Sequence, residues 1–213
     1  MYLLSQELWF PPVSKTHHSG ILAVGGDLSS ERLMLAYRNG IFPWFSKDDP
    51  ILWWCPEERM VLFPNKLHIS KSMRPYFNQN KFRVTHNECF EKVITECSRV
   101  KRKDQDGTWI NNEMISAYLK LFELGFAKSI EVWDKNDLVG GLYGIFLEDK
   151  KIFCGESMFS KASNASKFGF IKMVNYYKNK GVKLVDCQVY TSHLESLGAQ
   201  TIERDVFLTY LNL

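Results

Sequence analysis

The sequence predicts an α+β fold, with a small N-terminal domain over residues 1–80 and a mixed-sheet domain over residues 81–213. Three observations predict it. The composition is that of a chain with a real core, 45% apolar and 24% charged, which excludes disorder and collagen-like repeats. The texture changes near residue 80, the first part being rich in Pro, Trp and turn residues. Beyond that point helices are followed by a meander, a helix, a strand, a short helix and a strand, a plan in which helices pack on a mixed sheet.

Taken in order, Gly25-Gly26-Asp27-Leu28-Ser29 is a turn that feeds a helix over 30–39, with Ser29 or Ser30 as N-cap and Gly40 closing it after Asn39. The stretch 40–64 places Trp44, Trp53 and Trp54 among prolines, so it is expected as a loop followed by a short strand. Apolar residues at helical spacing predict helices over 87–98 and 112–124, the second ending at Gly125. The runs SIEVWD, LVGGLYGIFLE and IFCGESMF, separated by polar turns, predict three strands of an antiparallel meander. Ser163 is expected to cap a helix to about residue 180, before the strand KLVDCQVY, a short helix and LGAQTIERD.

Several classes drop out. The longest uncharged apolar run, 138–147, has ten residues, about half of the roughly 20 that a membrane span needs. The N-terminus has no basic leader and meets Pro11-Pro12 before an apolar segment develops, so no signal peptide is expected and the protein is placed in the cytosol. Cys55, Cys89, Cys97, Cys154 and Cys187 are odd in number, widely spaced and without C-x-x-C, which fits reduced thiols and neither disulfides nor a metal cluster. The 27 Lys+Arg exceed the 24 Asp+Glu by only 3, so a nucleic-acid partner must be argued from local patches.

Within strand 183–190 alternation puts Leu184, Asp186, Gln188 and Tyr190 on one face. A carboxylate on a central strand needs a hydrogen bond, and Gln188 beside it can supply one with both in a cleft; the plainer alternative is a solvated face. Glu156 stands among Phe153, Met158 and Phe159. It is either an acid whose pKa burial raises, gripping an amine beside an apolar pocket, or a strand-end Glu over core. Trp44 and Trp109, with Trp53 and Trp54, can stack on a base. Lys66, Lys71, Arg74, Lys81 and Arg83 lie in eighteen residues without an acid, which suits phosphates or an ordinary solvated face. A second basic run, from Arg99 to Lys103, is followed by Asp104 and Asp106 and reads as a surface loop.

Weaker motifs carry little. Gly140-Gly141 with Gly144 is not followed by a helix and marks a bulge or close backbone approach, and His17-His18 has no third ligand at sensible spacing. Gly155-Glu156-Ser157 lacks the second glycine of a nucleophile elbow.

Eleven ordered blocks resemble the leucyl/phenylalanyl-tRNA–protein transferase family over nearly the whole chain. They are LAVGGDLS, AYRNGIFPWFS, PILWWCP, HISKSM, GTWI, SIEVWD, LVGGLYG, FCGESMFS, NASK, VDCQV and SLGA. The resemblance implies an acyltransferase-like, GNAT-like mixed-sheet domain and an enzyme that moves Leu, and less often Phe, from aminoacyl-tRNA to a protein whose N-terminal residue is Lys or Arg. The acceptor is thereby marked for degradation. No cofactor, metal or membrane is implied, and the chain is expected as a cytoplasmic monomer. By the same resemblance Asp186, Gln188 and Glu156 are catalytic, with Asp186 orienting Gln188 or drawing a proton from the attacking amine. Trp44 and Trp109 receive the terminal adenosine, with the substrate-binding Tyr37 nearby in the same block, Phe153, Met158 and Phe159 are candidates for the Leu/Phe pocket, and Lys71, Arg74, Lys81 and Arg83 hold tRNA phosphates. The chain departs from the family in Pro75 and Asn78, Gln79 and Asn80, which thin the cationic cluster.

Two other functions are set beside it. An acetyl-CoA-dependent N-acetyltransferase shares the topology, but SKASNASK stands without a glycine where that class has its pyrophosphate loop. A non-catalytic RNA-binding module would explain the tryptophans and the basic stretch, and would tolerate loss of Asp186.

Overall fold

The computed structural model describes residues 2–100 and 108–212. Of the second basic run, residues 101–103 therefore lie outside the described residues. In chain order the elements are β1 (Tyr2–Leu4), β2 (Ile21–Gly25), α1 (Ser30–Arg38), β3 (Phe42–Pro43), β4 (Leu52–Trp54), β5 (Glu58–Leu62), α2 (Arg74–Asn78), β6 (Arg83–His86), α3 (Phe90–Ser98), α4 (Asn112–Glu123), β7 (Ala127–Asp134), β8 (Asp137–Leu147), β9 (Ile152–Ser160), α5 (Ala165–Asn179), β10 (Leu184–Gln188), α6 (Ser192–Glu195), β11 (Gln200–Glu203) and α7 (Arg204–Asn212).

The expected cap holds at α1, and a cap not expected from the sequence starts α4. Ser29 accepts the Arg32 N–H at 3.4 Å to start α1, and Asn111 accepts the Met114 N–H at 2.9 Å to start α4. Elsewhere the ends move. Helix α3 begins three residues later than the spacing predicts, because Asn87 takes a left-handed φ of 60° and its side chain accepts the Ser129 N–H at 2.9 Å. Ser163 does not cap α5: the residue before that helix is Asn164, at φ 62° and without a side-chain cap. Strand β10 stops at Gln188 because that residue turns to φ 63°, which ends an extended ladder. Gly40 closes α1 at φ 74°, and a Cβ there would press on Leu208 at 3.0 Å and Phe207 at 3.1 Å, so α7 packs directly against this turn.

Two sheets form. The smaller has the order β1-β2-β4-β3, and the larger β11-β5-β10-β9-β8-β7-β6. In the larger sheet β9 and β10 run parallel and every other pair is antiparallel, which is the mixed α+β class expected. Strand β5 belongs to this sheet, paired with β10 and β11. The sheets therefore divide between Trp54 and Glu58, not near residue 80, because the apolar run 60–62 completes the centre of the larger sheet. Helix α5 covers one face of β7–β9 and α3 with α4 covers the other, giving two apolar layers. None of the five cysteines is in a disulfide. Among the described residues no helix is long and apolar enough to cross a membrane.

Gly144 shows how tight the sheet is next to the cavity described below. It pairs with Gly155, and a Cβ there would overlap the Cys154 carbonyl oxygen and lie 2.7 Å from the Phe153 ring. Gly144→Ala is expected to lower the urea midpoint by an amount equivalent to about 1–3 kcal/mol; an unchanged midpoint would mean that β8 and β9 are further apart.

Candidate active site

Strands β9 and β10 pair from Ile152 with Leu184 to Cys154 with Asp186, and no further. At that point each strand carries one extra residue. Tyr143 pairs with Ser157 and Gly144 with Gly155, which leaves Glu156 bulged from β9. Val61 pairs with Asp186 and Met60 with Gln188, which leaves Cys187 bulged from β10. A bulge ends local pairing and re-aims the next side chains. Between the bulged strands opens a cavity of about 430 Å³, lined by residues 155–158 and 187–189, a volume ordinary for a small-molecule site.

The cavity wall is mostly apolar. Met158 comes from β9, Leu142 from β8, Phe170 and Met173 from α5, and Leu194 from α6, while Trp44 and Trp109 stand among the same lining. Trp44 is braced by Trp54, whose indole N–H donates to the Trp44 carbonyl at 2.5 Å with ring centroids 5.3 Å apart. Trp53 is fully buried core and donates to the Gly25 carbonyl at 2.9 Å.

One polar cluster breaks this wall. Gln188 donates its Nε2–H to Glu156 Oε1 at 2.8 Å, and the Tyr118 hydroxyl donates to Oε2 at 3.0 Å. Behind Tyr118 stands the buried Tyr37, its hydroxyl hydrogen-bonded to that of Tyr118. Burial, with the Glu156 charge adjacent, pushes both phenols well above their ordinary value, so they remain donors. Burial also pushes the Glu156 carboxyl up to about 7, against the pull of hydrogen bonds from Tyr37, Tyr118 and Gln188. Glu156 is thus a carboxylate that takes and gives a proton near neutrality.

Asp186 is fully buried and is not part of the cavity lining. Both carboxylate oxygens are taken by Arg59, whose Nε–H donates at 2.7 Å and Nη2–H at 2.6 Å. Oδ1 also accepts the backbone N–H of Gln188 at 2.9 Å. The expected partnership of Asp186 and Gln188 exists, but through the backbone amide, and only Gln188 reaches the cavity. Strict alternation fails here because the Cys187 bulge shifts the register between them.

Phe153 and Phe159 do not line the cavity. Phe153 is fully buried against Tyr177, with centroids 4.7 Å apart, and Phe159 belongs to the opposite core layer. Phe159 directly follows Met158 and so faces the other layer, whereas Phe153, brought into the layer of Met158 by the phase shift at the Glu156 bulge, packs on Tyr177 away from the cavity. Lys71, Arg74, Lys81 and Arg83 are all exposed, on the segment from the short turn Lys71–Met73 through α2 to β6 at the sheet edge. Lys81 pairs with Asp134 at 2.9 Å and Arg83 lies over the Trp133 ring at 5.2 Å, while Lys71 and Arg74 have no ion-pair partner among the described residues.

A family model described as leucyl/phenylalanyl-tRNA protein transferase matches residues 61–212, and one described as the N-terminal domain of that transferase matches residues 26–57. The chain belongs to the leucyl/phenylalanyl-tRNA protein transferase family. Relatives carrying that name include a protein of Christiangramia forsetii, 62% identical over 211 residues that cover 99% of this chain and 100% of the relative. Another, from Flavobacterium johnsoniae, is 57% identical with 99% of each covered, and one from Pseudomonas fluorescens is 49% identical over 99% of this chain and 92% of the relative. The N-terminal family match ends at residue 57, in the interval between Trp54 and Glu58 where the two sheets also divide.

Of the residues that resemblance to this family brings forward, Glu156, Gln188, Met158, Trp44 and Trp109 meet at one cavity, and Tyr37 stands behind it. Tyr118, Phe170, Met173 and His193 are additions. Phe170 and Met173 lie three apart on α5, the spacing of one helix face, but that face reads as ordinary core until β9 and β10 separate above it. His193 lines the cavity with its imidazole held below the ordinary value by burial, Lys167 adding to the effect. Arg59 had a signal: a cation at the start of the otherwise apolar run 59–62 is costly unless something buried pairs with it.

Proposed function

We propose that this protein moves leucine, and less readily phenylalanine, from aminoacyl-tRNA to a protein whose N-terminal residue is Lys or Arg. The acceptor is thereby marked for N-end-rule degradation. The observation that carries this is the apolar cavity with the Glu156–Gln188 pair set in its wall. The cavity fits an unbranched-at-Cβ apolar side chain, and Trp44 and Trp109 offer ring faces for the terminal adenosine, a stacking contact of about 1–3 kcal/mol. The donor requires a cytoplasmic enzyme, and we take it to act as a monomer.

The ester of aminoacyl-tRNA is already activated, so positioning supplies much of the rate. The acceptor amine attacks the ester carbonyl, a C–N bond forms, and the C–O bond to the ribose breaks. The proton lost by the amine passes to the Glu156 carboxylate and from there to the departing ribose oxygen, leaving the enzyme unchanged. Gln188 uses one N–H to hold Glu156 and leaves its amide oxygen to accept from the attacking amine. Asp186 holds the Gln188 peptide in place.

The test is transfer of labelled leucine from charged tRNA to two matched peptides, one beginning with Arg and one with Asp, beside an acetyl-CoA control. Labelling of the Arg peptide alone is expected. Acetylation, or tight tRNA binding without transfer, would replace this function by one of the two alternatives.

The exposed cations are expected to act through phosphates. Lys71→Ala and Arg74→Ala should each weaken tRNA binding equally for leucyl- and phenylalanyl-tRNA and reduce the slope of log K against log salt by about 0.7–0.9, with kcat at saturating tRNA unchanged. A salt titration of binding reads this directly. A slope unchanged in both variants would put the phosphates elsewhere.

A further inference from the structure

We propose that Arg59 is a positioning residue of the transfer reaction: its grip on Asp186 fixes the Gln188 peptide, and through the Gln188 side chain the Glu156 carboxylate. The proposal rests on the aminoacyl-transfer function above. Its basis is an unbroken chain of contacts. The Arg59 fork meets the Asp186 carboxylate bidentately at 2.7 and 2.6 Å, Asp186 accepts the Gln188 N–H at 2.9 Å, and Gln188 donates to Glu156 at 2.8 Å. Arg59 is 1% exposed and does not line the cavity, so it acts only through Asp186.

The guanidinium is further held by two rings. The Phe42 ring lies 4.7 Å from its carbon and the Phe207 ring 4.6 Å, contributed by β3 and α7. Phe42 precedes Trp44 by two residues, which joins the clamp to the cavity wall. A planar fork between rings has little freedom, and a lysine cannot reproduce either the fork or the stacking.

The chain matters because Gln188 needs restraint. It sits at φ 63°, a left-handed conformation that a non-glycine residue keeps only when its surroundings impose it. The Asp186 hydrogen bond to its N–H is that restraint, and Asp186 can give it only while its own carboxylate is immobile. The same contacts set Asp186 apart from the attacking amine: the carboxylate is fully buried against Arg59 and does not line the cavity, as Glu156 does.

Stability alone does not account for the arrangement. A buried ion pair can often be exchanged for apolar side chains without loss, and Nη1 of Arg59 is buried with no hydrogen-bond partner among the described residues, which is a cost. The gain is in where Gln188 and Glu156 stand.

The test is steady-state leucine transfer to the Arg peptide by full-length wild type, Arg59→Lys and the double variant Arg59→Met/Asp186→Leu, with thermal melts of each. Arg59→Lys keeps the charge and loses the fork. We expect its KM for both substrates to stay within about twofold and kcat to fall about 10²-fold, the scale of a misplaced catalytic group. The double variant removes the buried charges together and with them the acceptor of the Gln188 N–H; it should melt near the wild-type temperature and turn over no better than Arg59→Lys. That combination separates positioning from folding. Wild-type kcat in a folded Arg59→Lys, or recovery of turnover in the double variant, would overturn the proposal while leaving the transferase function intact. A wild-type protein that transfers no leucine would overturn that function, and this proposal with it.

Discussion

Replacing Glu156 by Gln should lower kcat/KM for leucine transfer by about 10²–10⁴-fold, the usual contribution of a positioned general base. Tyr118 and Gln188 would still hold the side-chain amide in place, so binding of charged tRNA should survive and the loss should fall on kcat. The pH profile sharpens this. With its carboxyl raised to about 7, wild-type turnover should climb through that value as the base ionises, and the Gln variant should lose the step. A Gln variant that keeps both its rate and the step would assign the proton to another group.

The same carboxyl ties stability to pH. Its folded pKa lies above the ordinary 4.5, so the folded state holds the proton more tightly than the unfolded chain does. The stabilisation is complete below about 4.5 and is lost as pH rises through about 7. Each unit of difference is worth about 1.4 kcal/mol. Because Glu156 stands at the wall of a cavity, an excess loss in wild type of about 1–2 kcal/mol between pH 5 and pH 8, relative to Glu156→Gln, is expected. Urea midpoints of both proteins at the two pH values measure it, and parallel behaviour would show that the carboxyl is not raised.

Asp186→Ala should be the most damaging substitution to stability, at about 3–5 kcal/mol, because it leaves the Arg59 charge buried without its counter-ion. Turnover should vanish as well, since the Gln188 N–H loses its acceptor. Asp186→Asn keeps the shape and part of the hydrogen bonding and should cost less. Guanidinium denaturation resolves the two. Equal and small losses would mean that water reaches Arg59, contrary to its 1% exposure.

Much of the fold was legible because it depends on local chemistry. The cap of α1, the three meander strands and the glycines after α1 and α4 follow from residue types over a few positions. The errors have physical causes of the opposite kind. The start of α3 moved because Asn87 bonds to a residue on β7, 42 positions away. Strand β5 joined the larger sheet because strands β10 and β11, far along the chain, offered it two edges. The short α7 had no distinctive start signal, yet it supplies one ring of the Arg59 clamp.

The candidate site divides along the same line. Alternation in strand 183–190 set Asp186 beside Gln188 with both in a cleft, and the family resemblance set Phe153 and Phe159 with Met158 in a pocket. The Cys187 bulge sets Asp186 apart from the cleft that Gln188 reaches, and the Glu156 bulge shifts the phase of β9; a bulge is a property of two paired strands that neither strand's own pattern announces.

From residue types and order alone came the class of the fold, the family resemblance and the acid, amide and tryptophans on which a transferase reading rests. The tertiary structure decided which of them meet. It separated β9 from β10 to open the cavity, turned Glu156 and Gln188 toward each other, and drew Asp186 out of reach behind Arg59, a partner 127 positions away. Local propensity acts within a few residues, whereas burial and ion pairing reward contacts at any separation, so the chemistry of this protein was written in its residues and its geometry only in their packing.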